Sequence, residues 1–149
     1  MKPSGLIPPT PIALVLALLL LPASGSGRMI PDAPIEDFRL PIFAENGYKS
    51  WELRGLRGHY RGEEKALVEG LELAVFSADE AMLREMLIRS PRADINFAAT
   101  RAEGVSSIFV DGPNYEISGR DWTWFGEEEK IVVRESVRVS FAGSINILD

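Results

Sequence analysis

The stretch Gly112–Phe141, GPNYEISGRDWTWFGEEEKIVVRESVRVSF, decides how the rest of the chain is read. It opens on the turn pair Gly112-Pro113 and runs through Tyr115-Glu116-Ile117-Ser118 to Gly119. Trp122 and Trp124 follow, two residues apart, before Gly126 and three successive glutamates. From Ile131 to Phe141 the odd positions are Ile131, Val133, Glu135, Val137, Val139 and Phe141, and the even ones include Arg134, Ser136, Arg138 and Ser140. Successive strand side chains point to opposite faces, so this alternation predicts a strand with one apolar, buried face and one wet face. Trp122 and Trp124 share one parity, Tyr115 and Ile117 the other; a bend at Gly119 would bring all four onto one surface.

Working outward, the same two-residue period marks Lys65–Phe76, where Leu67, Leu71, Leu73 and Val75 share a face with Glu69 as the exception. Val105–Val110, with Ile108 and Val110 in alternation, reads as a strand entered by a turn at Glu103-Gly104 and left at Asp111-Gly112-Pro113. Ala93, Ile95 and Phe97 alternate with Asp94 and Asn96. Upstream, Phe38–Phe43 is interrupted by Pro41, which confines it to an edge or a bend. Ala44-Glu45-Asn46-Gly47 is a hairpin turn on the strength of Asn-Gly. Tyr48–Arg54 continues as a strand, and Gly55, Gly58 and Gly62 then suggest a loop holding His59. Asp79–Ser90 is rich in helix formers, yet its neighbours are strands, and context overrides propensity; the reading is strand. Short strands at even spacing predict an all-β domain.

The chain has 149 residues, so one domain follows whatever precedes it. Ile12–Leu21 is an unbroken apolar run ending at Pro22 and the small residues Ala23-Ser24-Gly25. That pattern fits a secretory signal over residues 1–25, and it falls short of the about 20 apolar residues a membrane span needs. A retained inner-membrane anchor facing the periplasm is the alternative. A Pro-rich leader covers 26–41, with Pro31, Pro34 and Pro41, and the β domain covers 42–149. Without the signal the chain holds 15 Lys and Arg against 22 Asp and Glu, a formal charge of −7. An acidic chain lacks the phosphate-neutralising charge that nucleic-acid binding requires. Cysteine is absent, so the fold must rest on its sheet core.

No Gly-x-Ser-x-Gly elbow, His-Glu-x-x-His pair or glycine-rich phosphate loop is present. His59 is the lone histidine and has no second histidine or cysteine with which to share a metal. Glu127-Glu128-Glu129 lacks the ligand spacing of a calcium loop and reads as a solvated turn. The expectation is a non-catalytic protein with no metal or cofactor.

The chain resembles the LptC branch of the OstA-like proteins of lipopolysaccharide export. The resemblance is carried by Asp37-Phe38, Leu40-Pro41, Ser90-Pro91, Tyr115-Glu116-Ile117-Ser118-Gly119, Asp121-Trp122-Thr123-Trp124 and Val137-Arg138-Val139, within about Ile35 to Phe141. It implies an open, twisted antiparallel β-jellyroll whose apolar interior holds the acyl chains of lipopolysaccharide or a related glycolipid in the periplasm. It also implies edge-strand pairing with other OstA-like proteins or an ABC transporter complex. The lipid-facing residues would come from Leu71, Leu73, Val75, Ile108, Val110, Tyr115, Ile117, Trp122, Trp124, Val133, Val137, Val139 and Phe141. A different class of function stands beside this one: a secreted β-sandwich module binding carbohydrate or protein on a platform of Trp122 and Trp124.

Overall fold

The computed structural model describes residues 33–143; the expected signal segment, the start of the leader and the last six residues lie outside them. The chain is all-β, seven strands in one antiparallel sheet whose order is the order of the sequence. They are β1 (Ile35–Phe43), β2 (Lys49–Tyr60), β3 (Lys65–Phe76), β4 (Arg84–Asn96), β5 (Arg101–Asp111), β6 (Tyr115–Phe125) and β7 (Lys130–Phe141). Among the described residues each strand pairs only with its sequence neighbours, so β1 and β7 form the two edges of the sheet.

The turns follow their residues. Gly47 at φ 85° closes the β1–β2 hairpin, with the Ala44 and Tyr48 backbones bonded at 2.8 Å. At the β3–β4 connection Asp79 accepts from the Ser77 hydroxyl at 2.7 Å and the Ala81 N–H at 3.0 Å. These bonds hold its carboxyl below the usual range, the Ser77 hydroxyl contributing most. A residue suited to start a helix here closes a turn instead, and no helix forms across Asp79–Ser90; the strand begins only at Arg84.

Three expectations need correction. Gly55–Tyr60 is strand, not loop. Gly55 and Gly58 leave room for the Phe38 ring, which a β-carbon on Gly55 would meet at 2.5 Å. The chain does not turn at Glu103-Gly104; β5 passes straight through, and the turn lies at Phe97–Thr100. The leader does not extend to Pro41, because β1 begins at Ile35, and Pro41 fits because β1 is an edge strand.

The sheet is bent along one transverse line. Asp37 (φ 45°), Gly70 (φ 63°), Asp121 (φ 51°) and Ser136 (φ 51°) all leave the extended conformation. Pairing registers set these residues in a row with Leu56 and Pro91, and the registers of β4–β5, β5–β6 and β6–β7 shift at the same level. Pro91, which an ordinary central strand would reject, lies where the β4–β5 ladder is already interrupted. There the Ser90 hydroxyl donates to the Ser107 carbonyl at 2.8 Å, and the Ser106 hydroxyl to the Arg92 carbonyl at 3.1 Å. Side-chain hydroxyls thus replace missing ladder bonds.

Across this line the inward parity switches in β3, β4 and β6. In β3 the core residues are Val68 on one side and Leu71 and Leu73 on the other; in β4, Ile88 gives way to Ala93 and Ile95. Leu67 is therefore turned away from Leu71 and Leu73 and is buried outside the core cluster, not on one face with them. The two half-sheets close on each other: Trp51 in one meets the edge of Trp124 in the other, with ring centroids 5.5 Å apart at 70°. A single core fills the space between, including Leu53, Ile108, Val110 and Trp122.

Candidate functional site

The interior between the half-sheets gathers most of the residues expected to line it. Leu71, Leu73, Ile108, Val110, Trp122 and Trp124 are buried in the core. Val75, Tyr115, Ile117 and Val133 pack against it. Trp122 and Trp124 do join Tyr115 and Ile117 on one surface, but the bend that achieves this is at Asp121, two residues beyond the expected Gly119.

Val137, Val139 and Phe141 are the exception. Their apolar face was expected to be buried, yet they are 50%, 46% and 71% exposed. Val139 pairs with Ile117 and Phe141 with Tyr115, both of which pack on the core. The residues share the inward face but lie on an edge strand, with no further strand beyond it among the described residues. Periodicity reports which face a side chain takes; it does not report whether another strand follows.

At the opposite edge Ile35 and Leu40 are likewise exposed, at 59% and 38%. They border an apolar cavity of about 290 Å³ that reaches Phe38, Val68 and Phe97. Ile35, Tyr60, Ala66 and Phe97 were not anticipated here. In the sequence Tyr60 stands among Gly55, Gly58 and Gly62, which read as a loop, and Ile35 among the prolines of the leader.

The interior also holds two polar groups. The indole N–H groups of Trp122 and Trp124 are buried with no hydrogen-bond acceptor among the described residues. An unpaired buried donor costs about 1–3 kcal/mol, so each would gain from an acceptor brought in by a guest.

On the outer face the ionic feature is Glu52, 3% exposed, bound by Arg39 at 2.8 Å, Arg54 at 2.9 Å and Lys49 at 3.1 Å. The Arg39 hydrogen bond leads in holding its carboxyl down, to about 2, with Lys49 and Arg54 adding to it. A carboxylate so fully neutralised braces β1 against β2 and is unsuited to proton transfer near neutrality. His59 lies in β2, not in a loop, 3.6 Å from Glu69. Among the described residues no group of three or more His, Asp or Glu side chains is placed to hold a metal. Glu127, Glu128 and Glu129 form an exposed turn.

No family model matches the chain, and no curated protein matches it in sequence.

Proposed function

We propose that this protein is a periplasmic, non-catalytic carrier of glycolipid acyl chains, of the lipopolysaccharide type, working as an open β-jellyroll unit in a chain of like domains. The observation that carries the reading is an apolar interior left uncovered at both edges of one bent sheet, by Ile35 and Leu40 on β1 and by Val137, Val139 and Phe141 on β7. An acyl chain entering such a space gains about 0.8 kcal/mol for each methylene removed from water. The orphan indole N–H groups suit the ester or amide oxygens of an acylated headgroup. The free edges suit strand addition by an OstA-like neighbour or a transporter subunit. Export by the apolar segment at Ile12–Leu21, with cleavage after Gly25, belongs to the same reading.

The carbohydrate- or protein-binding module has less support, because its platform is gone: Trp122 is fully buried and Trp124 is 3% exposed.

Two measurements test the carrier reading. Mass spectrometry of the protein extracted from its own envelope should find bound glycolipid. Val139→Asp should melt within about 1 kcal/mol of the parent, since a half-exposed edge position tolerates charge, yet lose lipid crosslinking. A variant that binds lipid normally removes β7 from the lipid path. Protein free of lipid in every preparation removes the function.

A further inference from the structure

The outer face of the half-sheet containing Trp124 carries a cavity of about 430 Å³, rimmed by Arg61, Lys65, Arg92 and Arg101 together with Asp94 and Glu103. Four cations against two carboxylates is the reverse of a chain whose formal charge is −6. Arg101 is 3.6 Å from Glu103, a loose pair, and its Nε is buried with no hydrogen bond. Arg61, Lys65 and Arg92 have no ion-pair partner among the described residues. Asn96, on the same rim, accepts the Ala99 N–H through Oδ1 at 3.0 Å, which leaves its amide NH₂ free to donate.

The backbone fixes these groups. Arg61 and Lys65 flank the β2–β3 turn, where the Arg61 N–H donates to the Lys65 carbonyl at 3.0 Å. That turn is tied to the β4–β5 turn by the Phe97 N–H donating to the Glu64 carbonyl at 2.8 Å. Lys65 pairs with Asn96 and Asn96 with Arg101, so three donors lie in one row across three strands.

From this convergence we infer that the cavity is a binding site for a phosphate-bearing ligand. Guanidinium forks match tetrahedral oxyanions in bidentate geometry, and lysine adds a point charge. The volume admits a phosphorylated group larger than one free phosphate, within the range of small-ligand sites. The site is on the outer face and does not depend on what the interior carries. A lipid headgroup and a soluble phosphate present the same chemistry to it.

The test is calorimetric titration of the full chain with inorganic pyrophosphate at low ionic strength, where exposed charges are least screened, beside co-sedimentation with vesicles of phosphatidylglycerol against phosphatidylcholine. The double variant Lys65→Gln/Arg92→Gln should weaken whichever phosphate binds by about tenfold or more. Asp94→Asn should strengthen it by removing a like charge from the rim. Arg138→Gln, on the far half of β7, should leave it unchanged, and a melting curve for each variant verifies folding. Loss of vesicle binding in the double variant assigns a headgroup; loss of pyrophosphate binding alone assigns a soluble phosphate. Absence of binding to both at millimolar phosphate, or a folded double variant with parental affinity, overturns the site. Acyl-chain binding is read separately by Val139→Asp, so either proposal can fail alone.

Discussion

Glu52 is the residue whose chemistry most outruns its appearance in the sequence. KSWELR reads as a weak strand with an outward glutamate, and nothing local announces that Arg39 from the preceding strand will close over it at 2.8 Å. Its folded carboxyl is held at about 2 against an ordinary 4.5. A depressed carboxylate pKa contributes stability in full above the unfolded value and loses it as pH falls through the folded one. Acid melts should therefore show this contribution intact above about pH 4.5 and gone below about pH 2. Glu52→Gln should cost about 1–3 kcal/mol at neutral pH and flatten that part of the acid profile. A variant as stable as the parent at pH 7 would mean that the three cations are satisfied by water. At this scale the sequence was most legible where burial alone matters, as at Leu73, Val110 and Trp122. It was least legible where a charge finds its partners across strands.

At the scale of the element, β3 and β7 followed as strands from the two-residue period, although the inward parity of β3 reverses at Gly70 and the last part of β7 is exposed. The bend did not. Its markers are an aspartate at 37, a glycine at 70, a proline at 91, an aspartate at 121 and a serine at 136, each ordinary alone. Only the pairing registers set them in one row, and registers depend on every turn length at once. Glycines misled for a related reason: Gly55 and Gly58 give up side chains so that Phe38 can lie over β2, not so that the chain can turn. Gly104 makes the bend's demands testable. A β-carbon there would stand 2.8 Å from the Arg92 carbonyl oxygen and 3.1 Å from the Trp122 indole nitrogen. Gly104→Ala should cost about 1–3 kcal/mol through overpacking against backbone, measured by urea unfolding. An unchanged midpoint would show that β4 can slide away from β5.

Over the whole molecule, the all-β prediction holds for the described residues, whereas the order of the strands emerges only from their pairing and was not legible in the sequence. The sequence also withheld where the sheet ends, since an inward apolar residue looks the same on an edge as in a core. Phe43 on β1 and Phe141 on β7 are 60% and 71% exposed, and unpaired edges template further strands. Sedimentation velocity should therefore show concentration-dependent association of the purified chain, reduced in Val139→Lys, because an edge lysine opposes strand addition. A parent that stays monomeric at high concentration would mean that its edges are already blunted.

The strictly sequential strand order also has a mechanical consequence. Among the described residues β1 and β7 stand at opposite margins of the sheet and pair only with β2 and β6. Tension applied between them loads each ladder from one end, a few hydrogen bonds at a time, instead of shearing whole strands past one another. The molecule should yield by peeling, strand after strand, at low force and in several short extensions. Single-molecule stretching would record a staircase, and one abrupt high-force rupture would show that the two half-sheets share the load through their core.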